Sequence, residues 1–240
     1  MIEVKQLNKQ FGRLKVLKGI TLSLERGKSY ALVGPNGSGK TTLIKAILGM
    51  VVPDSGMIEV DGISTRANWE YRRHIGYMPQ IGRYPDNMTI GQLITMIRDL
   101  RAAHSTTDED LVKEFKLHTM LNKRMHTLSG GTRQKVSAAL AFMFNPPVYV
   151  LDEPTAGLDP VAVEVMKEKI RMQMSDQKLF LITSHILSDL DELSGEVICL
   201  DEGTLIYNNA ISRLKQETGE QKLGKAIASM ILNKGISVNA

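Results

Sequence analysis

Apolar positions fall into short β-branched runs that alternate with stretches of helical period, the pattern of a layered α/β fold. Ser29 to Val33 reads as a strand that runs into a glycine-rich stretch, and Thr41 to Leu48 as a helix ended by Gly49 and Pro53. Met57 to Val60 and Ile75 to Met78 are strand-like, with Asp61-Gly62 as a turn signal between them. From about Pro79 to Asn145 helical periodicity dominates, with helices expected over Ile90 to Arg101, Asp108 to Phe115 and Arg133 to Phe144. Pro146-Pro147 closes that block. Strands resume at Val148 to Leu151, Leu179 to Ile182 and Val197 to Leu200. A helical insert thus interrupts an α/β core, and the tail from Ile211 to Ala240 reads as one or two short helices.

Composition narrows the class only a little. The 240 residues have room for one or two domains, and 42% hydrophobic with 23% charged residues is ordinary for a globular chain. The net charge of +4 suits a nucleic acid, a nucleotide or a membrane surface and selects none of them, because the basic residues are spread rather than blocked. The single cysteine, Cys199, sits in an apolar run; an internal disulfide is excluded and a reducing compartment is expected. Met1 to Lys5 has no apolar signal core, and no stretch of about 18 apolar residues spans a membrane. Any action on a membrane must then pass through a partner chain.

The glycine-rich stretch carries chemistry. Gly34-Pro35-Asn36-Gly37-Ser38-Gly39-Lys40-Thr41-Thr42 meets the pattern G-x-x-x-x-G-K-[ST] between a strand and a helix. Glycines let successive N–H groups turn inward, and the helix that follows presents its positive end to phosphates. Lys40 supplies a point charge for the β- and γ-phosphates, and Thr41 a hydroxyl for Mg²⁺. Val148 to Leu151 is an apolar strand that ends in Asp152 and Glu153. A buried parallel strand delivers its last residues to a ligand crevice. Asp152 is the candidate to hold Mg²⁺, and Glu153 the candidate to polarise or deprotonate an attacking water.

Leu128-Ser129-Gly130-Gly131-Thr132-Arg133-Gln134 narrows the field further. Ser129 can cap a helix that starts near Arg133, and the two glycines leave its amides open, a second anion-binding helix end built without a lysine. The segment resembles the LSGGQ signature of ABC-type ATPases, as found in ABC transporters, with Thr132 where the commonest form has glutamine. The likeness spans roughly residues 1–210, and 211–240 forms a short helical tail beyond it. It implies a P-loop NTPase core with a mainly parallel sheet and an N-terminal antiparallel β region. It also implies a helical subdomain, about 81–145, inserted between the Q-loop and the Walker B strand.

The same resemblance assigns further residues. Gln80 occupies the place of the Q-loop glutamine, which reaches Mg²⁺ and the attacking water and links the core to the insert. Asp159, in Ala156-Gly157-Leu158-Asp159, matches the D-loop near a dimer contact, and is equally an N-cap before Pro160. His185 matches the H-loop histidine that contacts the γ-phosphate. Phe11 lies where the family stacks an aromatic ring on adenine, usually a tyrosine, with Val16 beside it. His74, His104, His118 and His126 are expected to be surface or structural.

The family implies ATP with Mg²⁺ and two chains meeting head to tail, Lys40 and Glu153 of one facing Ser129, Gly130 and Gly131 of the other. It also implies a polytopic membrane permease on a separate chain, with this chain cytoplasmic at the inner membrane face. Gly76 to Gln80, Asp152 to Pro160 and the short tail are most similar to ATPases of bacterial ABC-2-type exporters. Two other readings compete with this one. A soluble ABC protein acting on nucleic acid or ribosomes usually carries long coiled coils or two ATPase domains, and this chain has neither. A non-hydrolysing module is opposed by the presence of Lys40, Asp152, Glu153 and His185.

Overall fold

The computed structural model describes residues 1–66, 68–101 and 107–233. β1 (Ile2–Phe11) and β2 (Leu14–Leu24) form an antiparallel hairpin, with Ile2 opposite Leu24 and Phe11 opposite Leu14. Leu17, Ile20, Leu22 and Leu24 point inward, while register shifts interrupt the ladder. β3 (Ser29–Val33) leads into α1 (Lys40–Ile47). β4 (Ser55–Val60) then adds antiparallel to β1, followed by the short β5 (Ile63–Ser64). These strands make an antiparallel sheet in the order β2-β1-β4-β5.

After β6 (Ile75–Met78) come the helices of the insert: α2 (Ile90–Leu100), α3 (Asp110–Glu114) and α4 (Gly130–Phe142). Thr89 and Gln92 close a capping box at the start of α2. The chain then returns to β7 (Val148–Asp152), α5 (Pro160–Met174), β8 (Leu179–Thr183) and α6 (Leu187–Leu193). β9 (Glu196–Asp201) and β10 (Thr204–Ala210) complete a second sheet, ordered β10-β9-β3-β8-β7-β6. All its pairings are parallel except β10 on β9. β3, β7 and β8 are buried at every position, which is why they read as unbroken apolar runs rather than as alternation.

A stack of Phe142, Tyr149 and Phe180, with ring centroids 4.5 and 4.7 Å apart, fastens α4 to this sheet. The tail forms two helices, α7 (Ile211–Thr218) and α8 (Leu223–Asn233), separated at Gly219, which takes a φ of +72°. Ile211, Leu214, Leu223, Ala226 and Met230 join the same core as Leu190 and Leu193, so the tail is packed onto the α/β body.

Several boundaries differ from the sequence reading. α4 begins at Gly130 rather than near Arg133, because the Ser129 hydroxyl accepts from the Thr132 amide and draws both glycines into the first turn. α1 begins at Lys40, directly after Gly39, whose φ is +103°. α3 is shorter than expected, spanning Asp110–Glu114. His104 and the chain beyond Asn233 lie outside the described residues. Among the described residues no helix is long and apolar enough to cross a membrane.

Candidate functional site

β3 ends at Val33, and the chain loops from Gly34 to Gly39 before α1. A Cβ on Gly34 would lie 2.2 Å from the Leu200 carbonyl oxygen, and one on Gly39 2.8 Å from that of Val16. The loop is therefore pressed against β9 and β2, and only glycine fits at its two ends. Lys40 Nζ donates to the carbonyls of Gly34 (2.7 Å) and Pro35 (2.9 Å). Burial holds the Lys40 ammonium below the ordinary lysine pKa, while Glu153 and Asp152 pull it upward. α1 has no acidic residue in its first turn, so its positive end is not neutralised from within.

The parallel register places Asp152, the last residue of β7, beside Thr183, the last of β8. The Thr183 hydroxyl donates to Asp152 Oδ1 at 2.6 Å. The Glu153 amide donates to the Thr183 carbonyl (3.2 Å) and to its Oγ1 (3.1 Å). Glu153 has a φ of +57°, in the left-handed region, which turns the chain sharply out of the sheet. Its carboxylate accepts from the His185 amide at 3.1 Å and lies 3.2 Å from His185 Nε2. Behind this turn Thr155 Oγ1 donates to buried Asp189, which also holds Lys167 Nζ at 2.9 Å. The turn is thereby anchored to α5 and α6.

Lys40, Thr41, Thr42, Asn36, Gly37 and Gly39 meet Gln80, Asp152, Glu153 and His185 around one cavity of about 320 Å³. Gly34, Pro35 and Ser38 line a second cavity of about 460 Å³, which α8 borders through Ile227 and Ile231. Phe11 lines neither. It is 49% exposed with Lys9 Nζ 5.2 Å from its ring centroid, while its cross-strand neighbour Leu14 borders the first cavity together with Val16. Ser129, Gly130 and Gly131 also line neither cavity and sit at the start of α4, with Ser129 and Gly130 exposed. Asp159 caps α5 by accepting from the Ala162 amide at 3.0 Å, and holds Lys135 of α4 at 2.5 Å.

Three contacts of this region carried no sequence signal of their own, although Gln134 belongs to the signature-like segment. Thr183 was an ordinary strand end, and the pairing of β7 with β8 is what brings its hydroxyl to Asp152. Leu14 was indistinguishable from any hairpin apolar residue. Gln134 is 6% exposed and its side chain reaches the Glu153 carbonyl, a contact between segments 19 residues apart.

A family model described as ABC transporter matches residues 17–156, from β2 to the turn after the two acids. Nod factor export ATP-binding protein I of Burkholderia lata is 32% identical over 216 residues, covering 87% of this chain and 70% of that protein. The ABC transporter ATP-binding protein NatA of Bacillus subtilis is 32% identical over 231 residues, covering 93% of each. A solved structure of an ATP-binding subunit of an ABC transporter superposes with a TM-score of 0.89 at 28% identity, over 96% of this chain and 99% of that one. The loop at Gly34 to Thr42, the signature segment at Ser129 and the acids at the end of β7 all fall within the matched region, and the chain belongs to the ABC transporter family of ATP-binding proteins.

Proposed function

We propose that this chain is the ATPase subunit of an ABC-2-type exporter, closing head to tail on a second ATPase subunit and driving a separate membrane permease. The observation that carries the reading is the meeting of Lys40, Thr41, Asp152, Glu153, Gln80 and His185 around one cavity beside an unneutralised helix N-terminus. The relatives' own names, one an export protein, support the direction of transport.

In this reading the amides of the Gly34–Thr42 loop and Lys40 bind the phosphates of ATP. Thr41, Gln80 and Asp152 offer a hydroxyl, an amide oxygen and a carboxylate, the hard oxygen donors that suit Mg²⁺. Among the described residues no group of three or more carboxylate, histidine or cysteine side chains is placed to hold a metal ion by itself, and Mg²⁺ commonly completes its coordination with substrate phosphates and waters. Mg²⁺ when bound neutralises charge on the β- and γ-oxygens. Glu153 takes the proton of a water as its oxygen attacks the γ-phosphorus, and the bond to the β–γ bridging oxygen breaks, leaving ADP and phosphate. His185, already against the Glu153 carboxylate, orients that base and contacts the γ-phosphate.

Phe11, at the outer edge beyond Leu14, stacks on the adenine. Ser129, Gly130 and Gly131 complete the site of the partner subunit, with Asp159 near the contact. Their separation from the Lys40 cavity supports this division of the site between two chains. ATP then holds the dimer shut and hydrolysis releases it, a two-state interface biased by the γ-phosphate. The ATPase works at the cytoplasmic face of the membrane through its permease, and nucleic acid has no direct part. Glu153→Gln is expected to bind ATP, lose turnover and accumulate as an ATP-bound dimer on size exclusion. Undiminished steady-state hydrolysis in that variant would sink the assignment.

A further inference from the structure

Gln134 lies on α4, one and a half turns beyond Ser129, and is buried at 6% exposure. Its Nε2 donates to the main-chain carbonyl of Glu153 at 3.3 Å. That carbonyl belongs to a backbone under two constraints. Glu153 is a non-glycine residue with a φ of +57°, and it precedes Pro154, whose ring disfavours helical conformations at the residue before it. Such a conformation persists only where neighbours hold it. The amide of Glu153 is held by Thr183 and its carboxylate by His185. Its carbonyl is held by the Ala156 amide at 3.1 Å and, from outside the turn, by Gln134.

The helix that carries Gln134 is itself docked onto the same turn. A Cβ on Gly131 would stand 2.7 Å from the Gly157 carbonyl oxygen, so α4 touches the loop backbone to backbone. Lys135 Nζ meets Asp159 at 2.5 Å, at the other end of that loop. α4 thus grips the segment from Glu153 to Asp159 at three points, of which only Gln134 reaches the residue that carries the base. Five residues of helix separate Ser129 from Gln134, roughly 7.5 Å along the axis, so a shift of the helix start moves the amide with it.

We propose that Gln134 is a positioning residue that sets the backbone geometry of Glu153 and links the signature segment of one nucleotide site to the base of the other. The proposal rests on the function given above, in which Glu153 activates water in one site while Ser129 of the same chain closes its partner's site. Through Gln134, seating of Ser129 on the partner's nucleotide fixes Glu153 for attack in its own site.

The test compares the purified chain with its Gln134→Met variant, which keeps the volume and removes the donor. The turnover number is expected to fall about tenfold, while KM for ATP and the affinity for a fluorescent ATP analogue stay within twofold. In a Glu153→Gln background, single-turnover hydrolysis is expected to be the same with and without Gln134→Met, because the amide acts only through that carboxylate. Full turnover in Gln134→Met overturns the proposal. So does a parallel loss of turnover and nucleotide affinity, or a further tenfold loss in the Glu153→Gln background. Should Gln134→Met be insoluble, Gln134→Asn draws the amide back by one methylene, and the same split between turnover and affinity is required. Undiminished hydrolysis by Glu153→Gln alone refutes the function itself, whereas an inactive Glu153→Gln with a fully active Gln134→Met refutes only the role of Gln134.

Discussion

Replacing Thr183 by valine removes one hydroxyl from the floor of the site and leaves shape almost unchanged. Thr183 is 2% exposed and Asp152 9% exposed, so water replaces little of what is lost. The hydroxyl donates to an aspartate oxygen at 2.6 Å, a charge-assisted bond in a buried setting. Such a bond is worth about 1.5–3 kcal/mol. Thr183 Oγ1 also accepts from the Glu153 amide, but that amide donates to the Thr183 carbonyl at 3.2 Å as well, so this second loss is partial. Valine regains about 0.8 kcal/mol from one more buried methyl group. The net expectation is a destabilisation of about 2 kcal/mol, read from urea denaturation with an unchanged slope. Thr183→Ser keeps the hydroxyl and loses a methyl, so it is expected to cost about 1 kcal/mol. Function separates the two variants more sharply. Asp152 without its donor is free to rotate, and half-saturation of the ATPase by Mg²⁺ is expected to rise several-fold in Thr183→Val and to stay near wild type in Thr183→Ser. A Thr183→Val chain within about 0.5 kcal/mol of wild type, or a serine variant with an equally weakened Mg²⁺ response, would refute the reasoning.

Lys40→Ala is expected to lose nucleotide affinity by at least about tenfold in a fluorescent ATP analogue titration, the loss of one charge-assisted contact; undiminished binding would contradict the placement of Lys40 on the phosphates. Lys169→Met is expected to destabilise the chain by about 2 kcal/mol in the same urea assay. Lys169 is 5% exposed between Asp108 and Asp110, and its removal leaves Asp108 mostly out of water, whereas Asp110 stays solvated. The pH dependence follows from the two shifts. Burial lowers the Lys169 pKa, but the hydrogen bonds it donates to Asp108 and Asp110 outweigh that and raise the value overall, so its contribution is complete below the ordinary lysine value and fades as pH climbs through the raised one. The hydrogen bond from Lys169 lowers the pKa of Asp110, so that contribution is complete above the ordinary aspartate value and fades as pH falls through the lowered one. The gap between wild type and Lys169→Met is thus expected to be flat from about pH 5 to pH 9 and to shrink toward pH 3; a gap that shrinks near neutrality would point to a histidine instead.

What the sequence made legible was local in sequence. The glycine spacing, Lys40 and Thr41 lie within one loop, and Asp152 and Glu153 follow directly on the strand that carries them, so pattern alone located both. Ser129 announced a helix start, yet Gly130 and Gly131 hid where it begins, because glycines read as non-helical until the cap that draws them in is counted. The N-terminal antiparallel region was implied by the family resemblance alone; its own residue pattern is masked by irregularity, because the ladder slips between Val4 and Leu7 and again near Lys9 and breaks the two-residue alternation. The contacts that were not legible are those made by strand order. Thr183 reaches Asp152 only because β8 lies beside β7 in parallel register, and no spacing along the chain encodes that neighbour.

The site also explains why the charged groups cannot act one at a time. Lys40 spends its donors on two carbonyls of its own loop, and Glu153 rests against His185. A triphosphate must compete with those carbonyls for the ammonium, and a water must enter between Glu153 and the phosphate for the carboxylate to reach a proton. The first exchange puts negative charge at the start of α1, which no acidic residue in its first turn neutralises. Ser129 and its glycines, outside both cavities, are held in fixed relation to Glu153 by Gln134, Gly131 and the Lys135–Asp159 pair. The halves of the site are therefore separate in space but mechanically joined within the chain. In the head-to-tail dimer proposed above, each joint lies between the two nucleotides, so that closing one site sets the geometry of the base in the other.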